Sequence, residues 1–215
     1  MSDGVYGEPI RGKIGVLIED HFDLTEFVVF NKFFPAKGYQ IVYMSHLWGN
    51  HSLPFRANPD DDGLTGAEVT VTCDVASVDP TEYRGFLLIG AYAMDRLRYQ
   101  EHPRKGQPNN APAIVFLRKI ARMPGIKIGT ICHSLWLFCA DPELLKGRRV
   151  TCAHNIICDV ENAGGEVVYE GDAAADLWID GDLISGKHPD KIVGFVEAFL
   201  AELEKQRAGT HEPAG

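Results

Sequence analysis

Four short apolar runs, "KIGVLI" (13–18), "YQIVYMS" (39–45), "GFLLIG" (85–90) and "IKIGTI" (126–131), recur along the chain with helix-patterned segments between them. Runs that stay apolar on both faces read as strands buried from both sides. In "DLTEFVVFNKFFPAKG" (23–38), Leu24, Phe27, Val28 and Phe30 recur at helical spacing and Gly38 permits the exit, so this segment reads as a crossover helix. "APAIVFLRKIARM" (111–123) has the same character. Strand, helix and strand in repetition predict an α/β fold with a mostly parallel central sheet and helices on both faces.

The C-terminal part adds short strands at "EVTVTC", "RRVTC", "GEVVYE", "ADLWID" and "DLISG", a helix through "IICDVENAG", and a closing amphipathic helix over 190–206. Asp180-Gly181 between two alternating runs predicts an antiparallel hairpin, a departure from the parallel order. Residues 46–66 are rich in turn formers and read as a surface excursion. A chain of 215 residues with 45% hydrophobic composition suits one domain. Its expected limits are 13–206, after an N-terminal extension (1–12) and before a flexible tail (207–215).

Charge narrows the partners. A formal net charge of -9 disfavours nucleic acid and anionic membrane surfaces, and no apolar segment approaches the length of a spanning helix. With no secretory signal, a cytoplasmic location is expected. Five cysteines, an odd number, suggest thiols rather than a disulfide framework. Cys152, His154 and Cys158 do not make a recognised four-ligand metal pattern, and no phosphate-binding glycine motif follows a strand. No metal and no cofactor are therefore expected.

Within "KIGTICHSLWLFCADPELLKG" (127–147), Cys132 falls where an apolar strand meets the start of a helix pattern. Open α/β sheets place ligands at that end of their strands, and such a turn aims backbone N–H groups at the exposed side chain. A thiolate there gains from the helix N-terminus, so a pKa below the usual ~8.5 is expected, and the same donors suit an oxyanion. Cys132 is equally readable as inert core filling. Cys139, Cys152 and Cys158, set among apolar positions, read as structural.

The stretches "TICHS" and "LLKGRRVTC", with "FDLTEF", "NAGGEVVYE" and "DGDLISGKHPDKIVGFVEAF" in that order, resemble the DJ-1/PfpI superfamily over most of residues 13–203. The resemblance implies a flavodoxin-like three-layer α/β sandwich, a homodimer or higher homo-oligomer, and a nucleophile at Cys132. It assigns the neighbouring acid to Glu26 and a helper role in catalysis to His133. A carboxyl buried beside a thiolate would carry its proton more readily, whereas an exposed first-turn glutamate would merely complement the helix dipole.

Several positions depart from the family pattern. Ser134 stands where the family usually has glycine, leaving its hydroxyl to cap the helix or meet substrate. After the third apolar run comes Gly90-Ala91-Tyr92 in place of a Gly-Gly pair, so Gly90, Ala91 and Tyr92, with Ser134 and Trp136, are the expected substrate or oxyanion residues. Ala153 occupies the place of a family histidine, and His154 lies one residue later. The resemblance implies a cysteine-dependent enzyme acting on a small electrophile, such as a glyoxalase-like lyase or C–N hydrolase. The alternative is a non-catalytic redox or stress-sensing homo-oligomer.

Overall fold

The computed structural model describes residues 10–59 and 66–209. Parts of the expected N-terminal extension (1–9), of the surface excursion (60–65) and of the tail (210–215) lie outside them. Seven strands form the central sheet: β1 (Gly12–Leu17), β2 (Tyr39–Ser45), β3 (Cys73–Asp74), β4 (Tyr83–Leu88), β5 (Lys127–Ile131), β6 (Leu177–Asp180) and β7 (Leu183–Gly186). Their order is β6-β7-β5-β4-β1-β2-β3, and every neighbouring pair is parallel except β6 with β7. That exception is the hairpin marked by Asp180-Gly181, where Gly181 takes φ 64°, a left-handed value that glycine tolerates without a Cβ penalty.

Six helices connect and cover the sheet: α1 (Leu24–Ala36), α2 (Ala93–Leu97), α3 (Pro112–Ile120), α4 (Trp136–Cys139), α5 (Ile157–Asn162) and α6 (Ile192–Gly209). Consecutive residues of a strand face opposite sides, and β4 shows how each side is filled. A Cβ on Gly85 would lie 3.0 Å from the Phe199 ring of α6, whereas the next side chain, Phe86, packs edge-on against Phe116 of α3 at 5.2 Å. Phe34 of α1 meets Phe199 edge-on at 6.0 Å, so α1 shares the α6 layer. The result is the mostly parallel three-layer sandwich that the apolar alternation implies.

The aromatic seam of α1 and α6 carries much of the core. Phe34 is wholly buried and contacts Phe30, Phe33 and Phe199 at 5.2–6.1 Å. Phe34→Ala is expected to lower unfolding free energy by about 3–5 kcal/mol, read from urea denaturation.

Three local differences from the sequence pattern matter. The excursion at 46–66 contains a strand, Leu53–Arg56, paired antiparallel with Glu68–Val71 outside the central sheet, so "EVTVTC" divides between two sheets. The closing helix runs through Gly209, beyond the expected residue 206. The helix after Cys132 has only four residues, because Asp141-Pro142 opens a separate 3-10 turn.

Candidate functional site

Cys132 follows β5 directly and takes φ 56°, a left-handed conformation that non-glycine residues seldom adopt. Hydrogen bonds on both sides hold it there. Its N–H donates to the Gly186 carbonyl at the end of β7 (3.0 Å), and its carbonyl accepts from Ala153 N–H (3.2 Å). Ser134 closes the turn: its N–H donates to the Ile131 carbonyl (3.0 Å), while its Oγ accepts from Ile131 N–H (2.7 Å). Ser134 is fully buried, and this contact turns its hydroxyl into the strand end. The expectation that it meets substrate is therefore corrected: it holds the turn.

The acid comes from the other side of the sheet's centre. The loop after β1 is fastened by Tyr92 N–H donating to the His21 carbonyl (3.0 Å) and His21 N–H donating to the Arg56 carbonyl (2.8 Å). Asp23 then caps α1 by accepting from Glu26 N–H at 2.9 Å. Glu26 is fully buried in the first turn, and its Oε2 accepts from Gly90 N–H at 2.6 Å. An added Cβ on Gly90 would sit 2.5 Å from Glu26 Oε1 and 3.1 Å from Cys132 Cβ. The Glu26 carboxyl and the Cys132 thiol thus flank one glycine, and an exposed, solvated Glu26 is excluded.

Backbone N–H groups of His133 and Ala91 lie near the Cys132 sulfur and favour its charged form. They do not dominate its ionisation. Burial pushes the thiol well up, the negative charges of Glu26 and Asp23 add to this, and the two N–H groups oppose it only in part. The expected fall in thiol pKa is thereby overturned. A four-residue helix has little dipole to offer, and Cys132 is only 7% exposed.

His133 is half-buried and points its Nε2 at Asn155 Oδ1, 2.8 Å away. An amide oxygen can only accept, so Nε2 carries the hydrogen of this contact, and the buried Nδ1 makes no hydrogen bond among the described residues. The His133 ring lies 4.9 Å from Trp136 and 5.9 Å from Tyr92, forming one aromatic wall beside the cysteine turn. Trp136 is anchored by its indole N–H to Asp159 (2.8 Å), with Arg98 over its face. Asn155 and Asp159 have no local sequence signal; only the packing of α4 on α5 brings them here.

Ala153 precedes, and exposed His154 opens, a 3-10 turn instead of lying in a strand. It lines a separate cavity of about 170 Å³ with Lys187 and His188. All five cysteines are free, and burial raises the pKa of Cys139 to about 11 and of Cys152 to about 12. No group of three or more His, Cys, Asp or Glu side chains among the described residues is placed to hold a metal. No helix among them is long and apolar enough to cross a membrane.

Comparison with known proteins gives a consistent result. The sequence model of the DJ-1/PfpI family matches residues 12–202. An uncharacterized Staphylococcus epidermidis protein is 29% identical over 148 residues, covering 69% of this chain and 77% of that protein. A similar uncharacterized protein of Staphylococcus aureus is 27% identical over the same length, covering 69% and 78%. Among solved structures, a ThiJ/PfpI domain protein of Brachyspira murdochii superposes with TM-score 0.72 at 14% identity, covering 92% of this chain and 98% of that one. Drosophila melanogaster DJ-1beta gives 0.68 at 13% identity, covering 94% and 99%. An Anabaena variabilis protein with dj-1/thij/pfpi-like and ferritin-like domains gives 0.74 at 20% identity over 90% of this chain, which spans about half (48%) of that two-domain protein. At these identities the structural likeness establishes the fold.

Proposed function

Because the chain belongs to the DJ-1/PfpI family, we propose that it is a cysteine-dependent enzyme acting on a small electrophile, as a glyoxalase-like lyase or a C–N hydrolase. The observation that carries this reading is the placement of Glu26 and Cys132 on either side of Gly90, with two backbone N–H groups near the sulfur. With Glu26 ionised, the thiol keeps its proton. When substrate enters, the proton passes from sulfur to the Glu26 carboxylate, the sulfur lone pair forms the S–C bond, and the C=O π pair moves onto oxygen. The N–H groups of Ala91 and His133 then face the developing negative charge, and Glu26 returns the proton to that oxygen.

The small exposure of Cys132 supports a compact substrate. Tyr92 and Trp136, grouped with His133, form the wall it would pass. We further infer a homo-oligomer in a reducing cytoplasmic setting, consistent with five unpaired cysteines. The redox-sensing alternative draws less support, since a thiol pushed up by burial reacts slowly with oxidants.

The test is turnover of glyoxal, methylglyoxal, small primary amides and isocyanides by the full chain and by Cys132→Ser. At least one should be converted in a Cys132-dependent manner. Conversion of none at millimolar concentration, or equal conversion by the folded variant, would overturn the assignment.

A further inference from the structure

Beyond the carboxyl ends of β1 and β2 lies a cavity of about 430 Å³ that does not include Cys132. A second, of about 440 Å³, adjoins it and shares His46, Trp48 and Tyr99. Both volumes fall in the range of small-molecule sites. Three rings make a continuous wall, with Trp48 centred 4.4 Å from His46 and 5.8 Å from Tyr99. Trp48 and Tyr99 are nevertheless 42% and 58% exposed, so their faces are turned toward the space rather than into the core.

Acidic side chains share the lining. Glu19, only 8% exposed, and Asp95 line the first cavity, and Glu101 lines the second. Glu19 Oε2 accepts from Ser45 Oγ (3.2 Å) and Oε1 from Asp20 N–H (3.1 Å), which fixes the carboxyl group in place. The one cation lining these two cavities, Arg96, is half-exposed; it stands 3.5 Å from Glu19 and 4.0 Å from Asp20, at ion-pair range without a close hydrogen bond. Burial pushes the Glu19 carboxyl up, although the Asp20 N–H, Arg96 and Ser45 draw it down.

Electron-rich ring faces and carboxylates lining one cavity are the chemistry that recognises organic cations. We propose that this cavity is a second ligand site, separate from the cysteine, that binds a small organic ammonium ion with a flat apolar body stacked on Trp48 and Tyr99 and its charge toward Glu19. An anion would meet Glu19 and Glu101 against the Arg96 guanidinium, Asp95 being already paired with Arg98, and a neutral ring would bring no charge to Glu19. Helix α2 joins the two sites: the chain enters it from Gly90 and Ala91 beside the thiol, and its Asp95, Arg96 and Leu97 line the cavity. The proposal stands independently of any turnover at Cys132.

Isothermal titration and tryptophan fluorescence of the full chain with phenethylamine, and with phenylethanol and phenylpropionate as neutral and anionic matches, provide the test. The amine should bind at one site at least about tenfold more tightly than either match. Trp48→Ala and Tyr99→Ala should each weaken it by about tenfold, and Cys132→Ser should leave it unchanged. Both aromatic variants alter exposed side chains, so they keep their fold even where Glu19→Gln does not. Equal binding of the three probes, no binding of the amine at millimolar concentration, or amine binding unaffected by both aromatic variants would overturn the site.

Discussion

Cys132→Ser is expected to reduce kcat/KM for any electrophile the wild-type chain converts by at least about 10³-fold, with the fold intact. The substitution exchanges one atom in a fixed turn. Hydrogen bonds from Cys132 N–H to Gly186 and from Ala153 N–H to the Cys132 carbonyl are made by the backbone and survive it. What is lost is the nucleophile: a serine hydroxyl holds its proton far more strongly than a thiol, and Glu26 alone cannot remove it. Steady-state turnover with urea denaturation as a folding control separates this from instability. A loss below tenfold would mean that the sulfur takes no part in bond making.

Gly90→Ala should be nearly as damaging, although alanine is the smallest possible change. The new methyl group would lie 2.5 Å from Glu26 Oε1 and 3.1 Å from Cys132 Cβ, so one of the two must move. Glu26 is fully buried and tied to Gly90 N–H at 2.6 Å, leaving it no solvated alternative nearby. Overpacking of this kind costs about 1–3 kcal/mol in stability. Displacing an acid from its nucleophile by an ångström costs about 10²-fold in rate. Denaturation and turnover of the same variant check both figures, and unchanged turnover would show that the close approach at Gly90 has no catalytic consequence.

The sandwich was legible because its signal is local: apolar runs such as "GFLLIG" and "IKIGTI" state their own burial, and Asp180-Gly181 states its own turn. The strand at Leu53–Arg56 was not, since it contains Pro54 and its partner, Glu68–Val71, lies across a long connection. The motifs point to Cys132 and Glu26 as a pair, and the structure sets both beside Gly90 at the end of the third apolar run. The direction of the thiol shift was misjudged because "SLWLFCA" looks like a full helix while Asp141-Pro142 cuts it to Trp136–Cys139. Burial then decides the charge balance. Ser134 was misassigned because sequence does not show which way a turn hydroxyl points. The cavity of Glu19, His46, Trp48 and Tyr99 was missed altogether, since only the fold gathers residues from three separate segments.

The central claim is that Cys132 and Glu26 are electrostatically coupled across Gly90, and the direct measurement is peptide-resolved alkylation of Cys132 by iodoacetamide as a function of pH. In the wild type, burial and the Glu26 charge hold the thiol above its ordinary value, so alkylation rises only in alkaline solution. Glu26→Gln removes the negative charge, and the rise should move to lower pH even as turnover falls for want of a proton acceptor. Superimposable profiles for the two folded proteins would contradict the coupling, and with it the mechanism built on that pair.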